Sequence, residues 1–263
     1  MDHEKPHEGL TPDRRAAYLD RIALPDPGAP SPEALARLQL AHLRAVPFEN
    51  LSIHLGEPIV LEPGLLVDKV VTRRRGGFCY ELNGAFAELL RSLGYRVSLL
   101  AGRVFDGDRP GLPYDHLALR VELDRPWLVD VGFGRFSRRP LLLDERAEQA
   151  DPHGTFTVAP YGEHGELDVL MDGTPQYRLD GLTHPLRDFL PTCWWHSTSP
   201  DSPFARGTTC SLLAEDGGRI TLNGRKLLRT APDGTRSEEQ LADAGALEAY
   251  RDHFGITLDR LPG

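Results

Sequence analysis

The stretch RGGFCYELNGAFAELLRSLG, residues 75–94, places a cysteine where a Gly-Gly break leads into an amphipathic helix. Free cysteine is among the most buried residue types, so packing is one interpretation of Cys79. The other interpretation is a nucleophile, because a helix N-terminus stabilises an adjacent thiolate by about 0.3–1 kcal/mol. One pKa unit corresponds to about 1.4 kcal/mol, so strong activation also needs a nearby imidazole and an acid that orients it.

Both partners have candidates downstream of the cysteine. His116 opens a predicted strand, HLALRVEL, and Asp130 lies among the apolar residues of WLVDVGFG. Aspartate is depleted in strands and is seldom buried without a partner, and His116 would satisfy it. Cys79, His116 and Asp130 therefore predict a nucleophile, its base and the acid that orients the base. A lone histidine on a strand is more often a structural residue, so the alternative stays open at this point.

Hydrophobic periodicity predicts the elements that must position these residues. Apolar residues at three- and four-residue steps predict a helix over residues 78–93, ended by Gly94. The segments RVSLLAGRV, DHLALRVEL and PWLVDVGF alternate like strands, and the turn LDRP lets the last two pair. A helix is also predicted in SPEALARLQLAHL, with Ser31 as its N-cap, followed by an extended or turn segment, VPFENLSIHLG.

The two ends of the chain carry further signals. Asn223-Gly224 in RITLNGRKLL predicts a hairpin with a type I′ turn. The sequence Ser-Glu-Glu-Gln resembles a capping box and predicts a final helix that begins near Ser237. Residues 140–180 hold weaker strand and turn signals, and residues 1 to about 10 are predicted to be disordered.

Composition excludes several classes of function. The 263 residues suffice for one large domain or two to three small ones. A net charge of −9 argues against nucleic acid as a general partner. No run approaches the roughly 18 apolar residues of a membrane span. The polar start MDHEKPHEGLTPDRR lacks a secretory segment, which predicts a cytoplasmic location and no membrane partner.

Three cysteines form an odd set, and in a reducing compartment they are predicted to be free thiols. Cys193 and Cys210 are expected to be small buried residues. The segment CWWH, with Cys210, offers three zinc ligands, but it lacks a C-x-x-C pair. We therefore predict no metal site.

Several of these segments together resemble the arylamine N-acetyltransferases. The resemblance is carried by RGGFCYELNG, the His116 strand and VDVGFG, with PFENLSIHLG upstream and STSPDSPF and GRITLNGRKL downstream. It extends from about Tyr18 to Leu228. The family's Cys-His-Asp triad then corresponds to Cys79, His116 and Asp130 without substitution.

The resemblance implies a ping-pong acetyl transfer. Acetyl-CoA is the expected co-substrate, with no tightly bound cofactor, and an aromatic amine or hydrazine is the acceptor. The acetyl group passes through an acetyl-cysteine at Cys79, with His116 as the base. The backbone N–H of Cys79 is one candidate donor to the oxyanion. The expected state of the protein is a monomer or a homodimer.

The resemblance also implies roles for residues around the triad. It puts Gly132, Phe133 and Gly134 near the CoA pantetheine. Phe48, Phe133 and Phe204 lie in motif segments and are our candidates for lining an apolar acceptor pocket. VGFG itself is not a nucleotide fingerprint, so a turn after a strand is the simpler interpretation. The partners of the CoA phosphates are not identified by the sequence.

A supporting ion pair is implied in the same way. The arginine before Gly-Gly pairs in the family with the glutamate of the FEN motif, which suggests that Arg75 and Glu49 steady the site. The alternative is that Arg73–Arg75 is a solvated run before a helix.

The predicted fold class is α+β, with a core like that of cysteine proteases and transglutaminases. The resemblance implies a helical bundle over residues 1–98 that carries Cys79. It implies a β-barrel over residues 99–196 with His116 and Asp130, and an α/β lid over residues 197–263. The order of helices before strands agrees with this class.

Three alternative functions remain open. An amide synthase would use the same triad to close a macrolactam from a carrier-bound acyl chain. A cysteine peptidase fits the order Cys…His…Asp, although the pattern C-G-[SA]-C-[WY] is absent. A binding protein that kept the fold is the third, and the intact triad argues against it.

Overall fold

The computed structural model describes residues 9–263, so the predicted disorder of the first residues concerns mainly residues 1–8, which lie outside the described chain. The α-helices of this part are Pro12–Arg21 (α1), Pro32–Ala45 (α2), Leu51–Leu55 (α3), Pro63–Val71 (α4), Cys79–Ser92 (α5), Leu190–Thr198 (α6) and Asp243–Phe254 (α7). The strands are Phe48–Glu49 (β1), Arg96–Asp106 (β2), Arg109–Pro110 (β3), His116–Glu122 (β4), Pro126–Val129 (β5), Leu141–Leu142 (β6), Gln149–Asp151 (β7), Gly154–Tyr161 (β8), Glu166–Met171 (β9), Thr174–His184 (β10), Thr209–Leu213 (β11), Arg219–Asn223 (β12), Lys226–Thr230 (β13) and Arg236–Gln240 (β14). Short 3₁₀ helices occur at Leu186–Phe189 and Pro203–Ala205.

Helix α5 forms the centre of the N-terminal helices and confirms the predicted helix. Its residues from Cys79 to Leu90 are all buried, so the helix is enclosed on its polar face as well as its apolar one. Helix α4 packs against it so closely that a Cβ at Gly84 would lie 2.6 Å from the Leu66 side chain. The buried polar residues of α5 must therefore find partners inside the protein.

A second region is an antiparallel sheet that curls into a nearly closed barrel. Its strands follow the order β6-β5-β4-β2-β10-β9-β8-β7, and β3 pairs with β2. At the two ends, the Gln149 side chain on β7 exchanges two hydrogen bonds with the Leu142 backbone on β6, at 2.7 and 3.0 Å. The weakly patterned residues 140–180 supply β6 to β9 and part of β10.

Strand β4 is buried on both faces, with the alternation that the sequence predicts. Leu117, Leu119 and Val121 pack against the helices, while Ala118 packs inside the barrel. Its neighbour β5 runs antiparallel to it, with Leu119 opposite Val129. The hairpin predicted at LDRP is therefore present, and it brings the start of β4 close to the end of β5.

A third region is the antiparallel sheet β1-β11-β12-β13-β14, covered by α7. Strand β1 comes from the N-terminal part of the chain and pairs with β11, so this sheet is tied to the helices. The predicted hairpin is present, but the predicted type I′ turn at Asn223-Gly224 is wrong. Asn223 pairs with Lys226, so Gly224 and Arg225 form the loop, and of these two only Gly224 has a positive φ, +58°.

The predicted start of the last helix near Ser237 is wrong. Residues Arg236–Gln240 form the edge strand β14, and α7 begins at Asp243. The polar sequence suits an exposed edge, where Glu238 pairs with Lys226 at 3.2 Å across the strands. The segment VPFENLSIHLG also differs from an extended or turn segment, because it contains helix α3 as well as β1.

The mixed architecture of helices and a nearly closed barrel confirms the predicted α+β class. The predicted division at residues 98/99 falls inside β2, and the one at 196/197 falls inside α6. The three-segment division therefore stays a prediction. Within residues 9–263, no helix combines the length and apolar character that crossing a membrane requires.

Candidate active site

Cys79 is the first residue of α5 and is buried. The start of this helix is held by Glu81, whose Oε2 accepts a hydrogen bond from the Phe78 backbone N–H at 3.3 Å. The sulfur lies at the first turn of a helix, where a negative charge is favoured.

The Gly-Gly break before Cys79 is required by a close approach of backbone to β1. The Glu49 N–H donates to the Gly77 carbonyl at 2.9 Å. A Cβ on Gly76 would collide with the Pro47 carbonyl. Glycine at this position therefore allows the chain to pass β1 and enter the helix with Cys79 at its start.

The His116 ring and the Asp130 carboxylate meet because β4 and β5 are neighbours. His116 Nε2 donates to Asp130 Oδ2 at 2.7 Å, and both side chains are buried. The carboxylate also accepts bonds from Asn83 Nδ2 at 2.9 Å, the Gly132 N–H at 2.9 Å and the Tyr177 hydroxyl at 3.2 Å. Four donors thus fix this acid in its apolar surroundings.

Asn83 links the helix of the cysteine to the loop of the aspartate. It stands four residues after Cys79, and its Oδ1 accepts a bond from the Val131 N–H at 2.9 Å. A Cβ on Gly132 would lie 2.7 Å from both Asn83 Nδ2 and the Cys79 Cα, so this contact requires glycine. The sequence offered one signal for Asn83, because a residue four positions after Cys79 lies on the same face of the helix. It offered no signal for Tyr177, which comes from β10.

The sulfur and the imidazole form one acid–base pair. Burial lowers the pKa of His116, but the Asp130 carboxylate outweighs it, and the pKa rises to about 10. Burial is the largest influence on Cys79 and raises its pKa overall, while the neighbouring His116 acts in the opposite direction. Because Nε2 is engaged by Asp130, Nδ1 is the ring nitrogen left for the sulfur. Asp130 thereby favours the proton on the imidazole.

A cavity of about 600 Å³ opens on Cys79 and His116. The three predicted pocket residues Phe48, Phe133 and Phe204 all line it. The Phe133 ring stacks edge-on to His116 at 5.1 Å between centroids. The cavity therefore offers aromatic walls next to Cys79, which suit a flat apolar ligand.

The glycines of VGFG take different places around this cavity. Gly132 lines it directly, between Cys79 and Phe133. Gly134 has φ +85°, and a Cβ there would lie 3.8 Å from the Phe48 ring. The segment can therefore form a turn at Gly134 and still contact a ligand in the cavity through Gly132.

Arg75 and Glu49 form an ion pair between the segment that leads into α5 and strand β1. Arg75 Nε donates to Glu49 Oε1 at 3.0 Å, and the Arg75 guanidinium also reaches Glu57 at 3.2 Å. Glu49 Oε2 accepts the Leu51 N–H at 2.6 Å. The pair ties the residue before Gly-Gly to β1.

Cys193 and Cys210 are buried and unpaired, as predicted. They lie in different apolar clusters, Cys193 with the helices and Cys210 with the C-terminal sheet. Within residues 9–263, no group of three or more His, Cys, Asp or Glu side chains could hold a metal ion.

The same cavity contains a second histidine–aspartate pair that the sequence did not predict. His196 Nε2 lies 2.8 Å from Asp115 Oδ1, and its Nδ1 lies 3.4 Å from Ser202 Oγ. His196 belongs to CWWH, for which the sequence suggests only a role as a zinc ligand. Its partner Asp115 precedes His116 by one residue, on a different part of the chain.

Comparison with known proteins places the chain among enzymes of one kind. A family model described as N-acetyltransferase matches residues 32–261. The arylamine N-acetyltransferase of Mycobacterium tuberculosis is 36% identical over 253 residues, covering 92% of this chain and 89% of that protein.

Solved structures of such enzymes have the same fold. The arylamine N-acetyltransferase of Salmonella typhimurium superposes with a TM-score of 0.87 and 30% identity, over 94% of this chain and 92% of that one. The Mycobacterium marinum enzyme in complex with CoA superposes with a TM-score of 0.81 and 36% identity, over 92% of each chain.

Proposed function

The chain belongs to the arylamine N-acetyltransferase family, and we propose that it transfers acetyl groups from acetyl-CoA to aromatic amines through an acetyl-cysteine at Cys79. As a member of this family it is an acyltransferase, with acetyl-CoA as its co-substrate. The finer proposal assigns the ping-pong mechanism, the catalytic residues and the acceptor class.

One observation carries the assignment of the catalytic residues. His116 bonds to Asp130 through Nε2, and its ring lies next to the Cys79 thiol and acts to lower the pKa of that thiol, at the wall of one cavity. A thiol, a base and an orienting acid in this order are the parts that nucleophilic acyl transfer needs.

In the first half-reaction the Cys79 thiolate attacks the carbonyl carbon of the thioester. The bond between that carbon and the CoA sulfur then breaks. CoA leaves as a thiol after it takes the proton of the His116 imidazolium, and acetyl-Cys79 and a neutral imidazole remain. The Cys79 N–H at the helix start is our candidate donor to the oxyanion.

In the second half-reaction the amine nitrogen attacks the acetyl carbon, and His116 takes the amine proton. The carbon–sulfur bond to Cys79 breaks, which releases the amide and restores the thiolate–imidazolium pair. The lone pair of an arylamine is delocalised into its ring, so the amine is unprotonated at neutral pH and can attack. An alkylamine is mostly ammonium at that pH.

The cavity supports an aromatic acceptor and protects the acetyl-cysteine. Phe48, Phe133 and Phe204 provide apolar walls, and we propose that they hold the acceptor ring and exclude water. Gly132 to Gly134 would run along the pantetheine arm, and the Arg75–Glu49 pair would steady the loop before Cys79. We keep the cytoplasm as the proposed location, with which three free thiols agree.

The test is the release of CoA thiol from acetyl-CoA with a panel of aromatic amines and hydrazides. We expect release that depends on the amine, together with an acetyl group on the peptide that contains Cys79 when the amine is withheld. Cys79→Ser should abolish both, whereas Cys210→Ala, a matched change of a distant buried thiol, should preserve them. Turnover by folded Cys79→Ser would refute the nucleophile. Silence with every CoA donor would favour an amide synthase.

A further inference from the structure

A second cavity, of about 130 Å³, lies between the barrel and the C-terminal sheet. It is lined by three arginines and a histidine, Arg135, Arg138, Arg219 and His153, together with the backbone at Gly217 and Gly218. Neither the resemblance nor the mechanism above gives these side chains a task. Arg135 follows the VGFG segment directly in sequence, and Arg138 comes three residues later.

The guanidinium groups of this cavity are bound only to neutral atoms. Within residues 9–263, no carboxylate forms an ion pair with any of the three arginines. Their hydrogen bonds are Arg135 Nε to His153 Nε2 at 2.9 Å, Arg138 Nη2 to the Gly217 carbonyl at 2.6 Å, and Arg219 to Ser211 Oγ at 3.0 Å and to the Gly134 carbonyl at 2.9 Å.

The neighbouring carboxylate, Asp151, does not neutralise this charge by a direct bond to a guanidinium. Its oxygens accept the backbone N–H groups of Arg138, Arg139 and His153 at 2.8–2.9 Å. The cavity thus concentrates positive charge that has no direct ion pair with a carboxylate in the described residues.

Burial and like charges make this arrangement costly without an anion. They lower the pKa of Arg219 to about 10, with Arg135 and Arg138 as the neighbouring charges. They also lower the pKa of His153 to about 4, so the histidine accepts the Arg135 hydrogen bond as a neutral ring. Guanidinium groups bind phosphate oxygens through paired, charge-assisted hydrogen bonds, so a phosphoryl group fits this charge.

The charged cavity is connected to the catalytic one through a short piece of chain. Arg219 holds the Gly134 carbonyl, and Gly132, two residues earlier, packs against the Cys79 Cα. Phe136 lines the charged cavity and contacts Phe133, which lines the catalytic one, with 5.2 Å between ring centroids. A donor with its thioester at Cys79 and its phosphates at the arginines would lay its neutral arm along this segment.

We propose that the cavity of Arg135, Arg138 and Arg219 binds a phosphoryl group, and that during acetyl transfer this group is a phosphate of CoA. The assignment to CoA rests on the function proposed above. The phosphoryl site itself does not, because inorganic phosphate or pyrophosphate presents the same oxygens.

The experiment compares acetyl-CoA with S-acetylpantetheine, which has the thioester but no phosphate. Arg135→Met is the main variant, because Arg135 is exposed and its side chain makes one hydrogen bond, so we expect the fold to persist. Arg138→Met is the second. Arg139→Met is the matched control, since Arg139 is exposed in the same loop but does not line the cavity.

We expect the wild-type preference for acetyl-CoA, as the ratio of kcat/KM values, to fall about 10-fold or more in Arg135→Met, mainly through KM for acetyl-CoA. Arg139→Met should keep the ratio. Dephospho-CoA donors then identify which phosphate is bound: loss of the preference for the 3′-phosphate in the variant assigns that group to the cavity. An unchanged ratio in folded Arg135→Met and Arg138→Met overturns the assignment to CoA.

Binding of inorganic pyrophosphate, measured by calorimetry, tests the site without catalysis. Binding to the wild type that is weakened in Arg135→Met supports the phosphoryl site, and no binding to the wild type overturns it. If pyrophosphate binding depends on Arg135 but the donor ratio does not, the occupant is a free phosphate rather than CoA. Should the wild type use neither thioester, the proposed acetyl transfer fails, while the calorimetric result still decides the site.

Discussion

Two histidines line the cavity around Cys79, each paired with an aspartate, and the local geometry of the two pairs is alike. The distance between ring nitrogen and carboxylate oxygen is 2.7 Å for His116 and Asp130, and 2.8 Å for His196 and Asp115. In both pairs Nε2 faces the carboxylate. A histidine held by a carboxylate is therefore not sufficient to define a catalytic base.

The second ring nitrogen separates the two pairs. Ser202 Oγ lies 3.4 Å from His196 Nδ1, donates to the His196 carbonyl at 2.8 Å and accepts the Phe204 N–H at 3.2 Å. Both nitrogens of His196 are therefore engaged within the protein, by a carboxylate and by a hydroxyl. The remaining nitrogen of His116 faces a thiol, which can exchange a proton with it. The two pairs therefore differ in the group next to Nδ1, which is a thiol for His116 and a hydroxyl for His196.

The strongest test of this difference exchanges each histidine for glutamine. His116→Gln should lower kcat/KM by about 10⁴-fold or more, because the thiolate loses its base. His196→Gln should lower it by less than about 10-fold, since an amide can still bond to Asp115 and Ser202. Rates with acetyl-CoA and an aromatic amine measure both, with melting temperatures as the control for folding. Equal losses in two folded variants would contradict the division of roles.

Replacing Asp130 should lower kcat more than replacing Asp115, and the difference should be smaller than the one between the two histidines. In Asp130→Asn the new NH₂ group faces donors that the carboxylate oxygens accept, including His116 Nε2 and the Asn83 amide. We expect kcat to fall by about 10²–10⁴-fold and the free energy of unfolding to fall by about 3–5 kcal/mol.

Asp115→Asn is the matched variant, because Asp115 is partly exposed and bonds to fewer groups. It should cost less than about 10-fold in kcat and about 1–2 kcal/mol in stability. Chemical unfolding and steady-state rates provide both values. A stable and active Asp130→Asn would remove this residue from the mechanism, whatever Asp115→Asn does.

The contrast between the pairs also explains what the sequence could predict. Asp130 was visible because a carboxylate stood out in an apolar strand, and Cys79 because it stood at a helix start. His116 was one of ten histidines, and the family resemblance made the choice among them. Asp115 and His196 were missed because they are 81 residues apart and neither interrupts a pattern.

The same reasoning applies to helices and strands, because those with strong local signals can be predicted from the sequence. The helix over 78–93 and the hairpins at LDRP and Asn223-Gly224 have strong local signals, and all three are present. The helix start predicted at Ser237 rests on the resemblance of Ser-Glu-Glu-Gln to a capping box. The same polar residues also suit an exposed edge strand, which is what the structure contains. Pairing of β14 with β13 decides between these, and a partner strand is not a local property of the sequence.

The smallest expected effect is a pH dependence of stability specific to the His116 pair. Burial lowers the pKa of His116 and Asp130 raises it, to about 10 in the folded protein, against about 6.5 when unfolded. The stabilisation is therefore fully present below about pH 6.5 and is lost as pH rises through about 10. The advantage of His116 over His116→Gln in the free energy of unfolding should therefore shrink between pH 7 and 9.5. Asp130 raises this pKa more than Cys79 does, so this direction holds without the thiol.

Both chains should carry Cys79→Ala, so that no thiol titrates next to the ring. His42→Gln is the control, because burial and Arg21 lower the pKa of His42 to about 3. Stabilisation by His42 is present above about pH 6.5 and lost as pH falls, so its contribution should be constant from pH 7 to 9.5. Urea unfolding at steps of pH gives the slopes. A flat His116 difference would mean that Asp130 does not hold the ring protonated, and the two pairs would then differ in position alone.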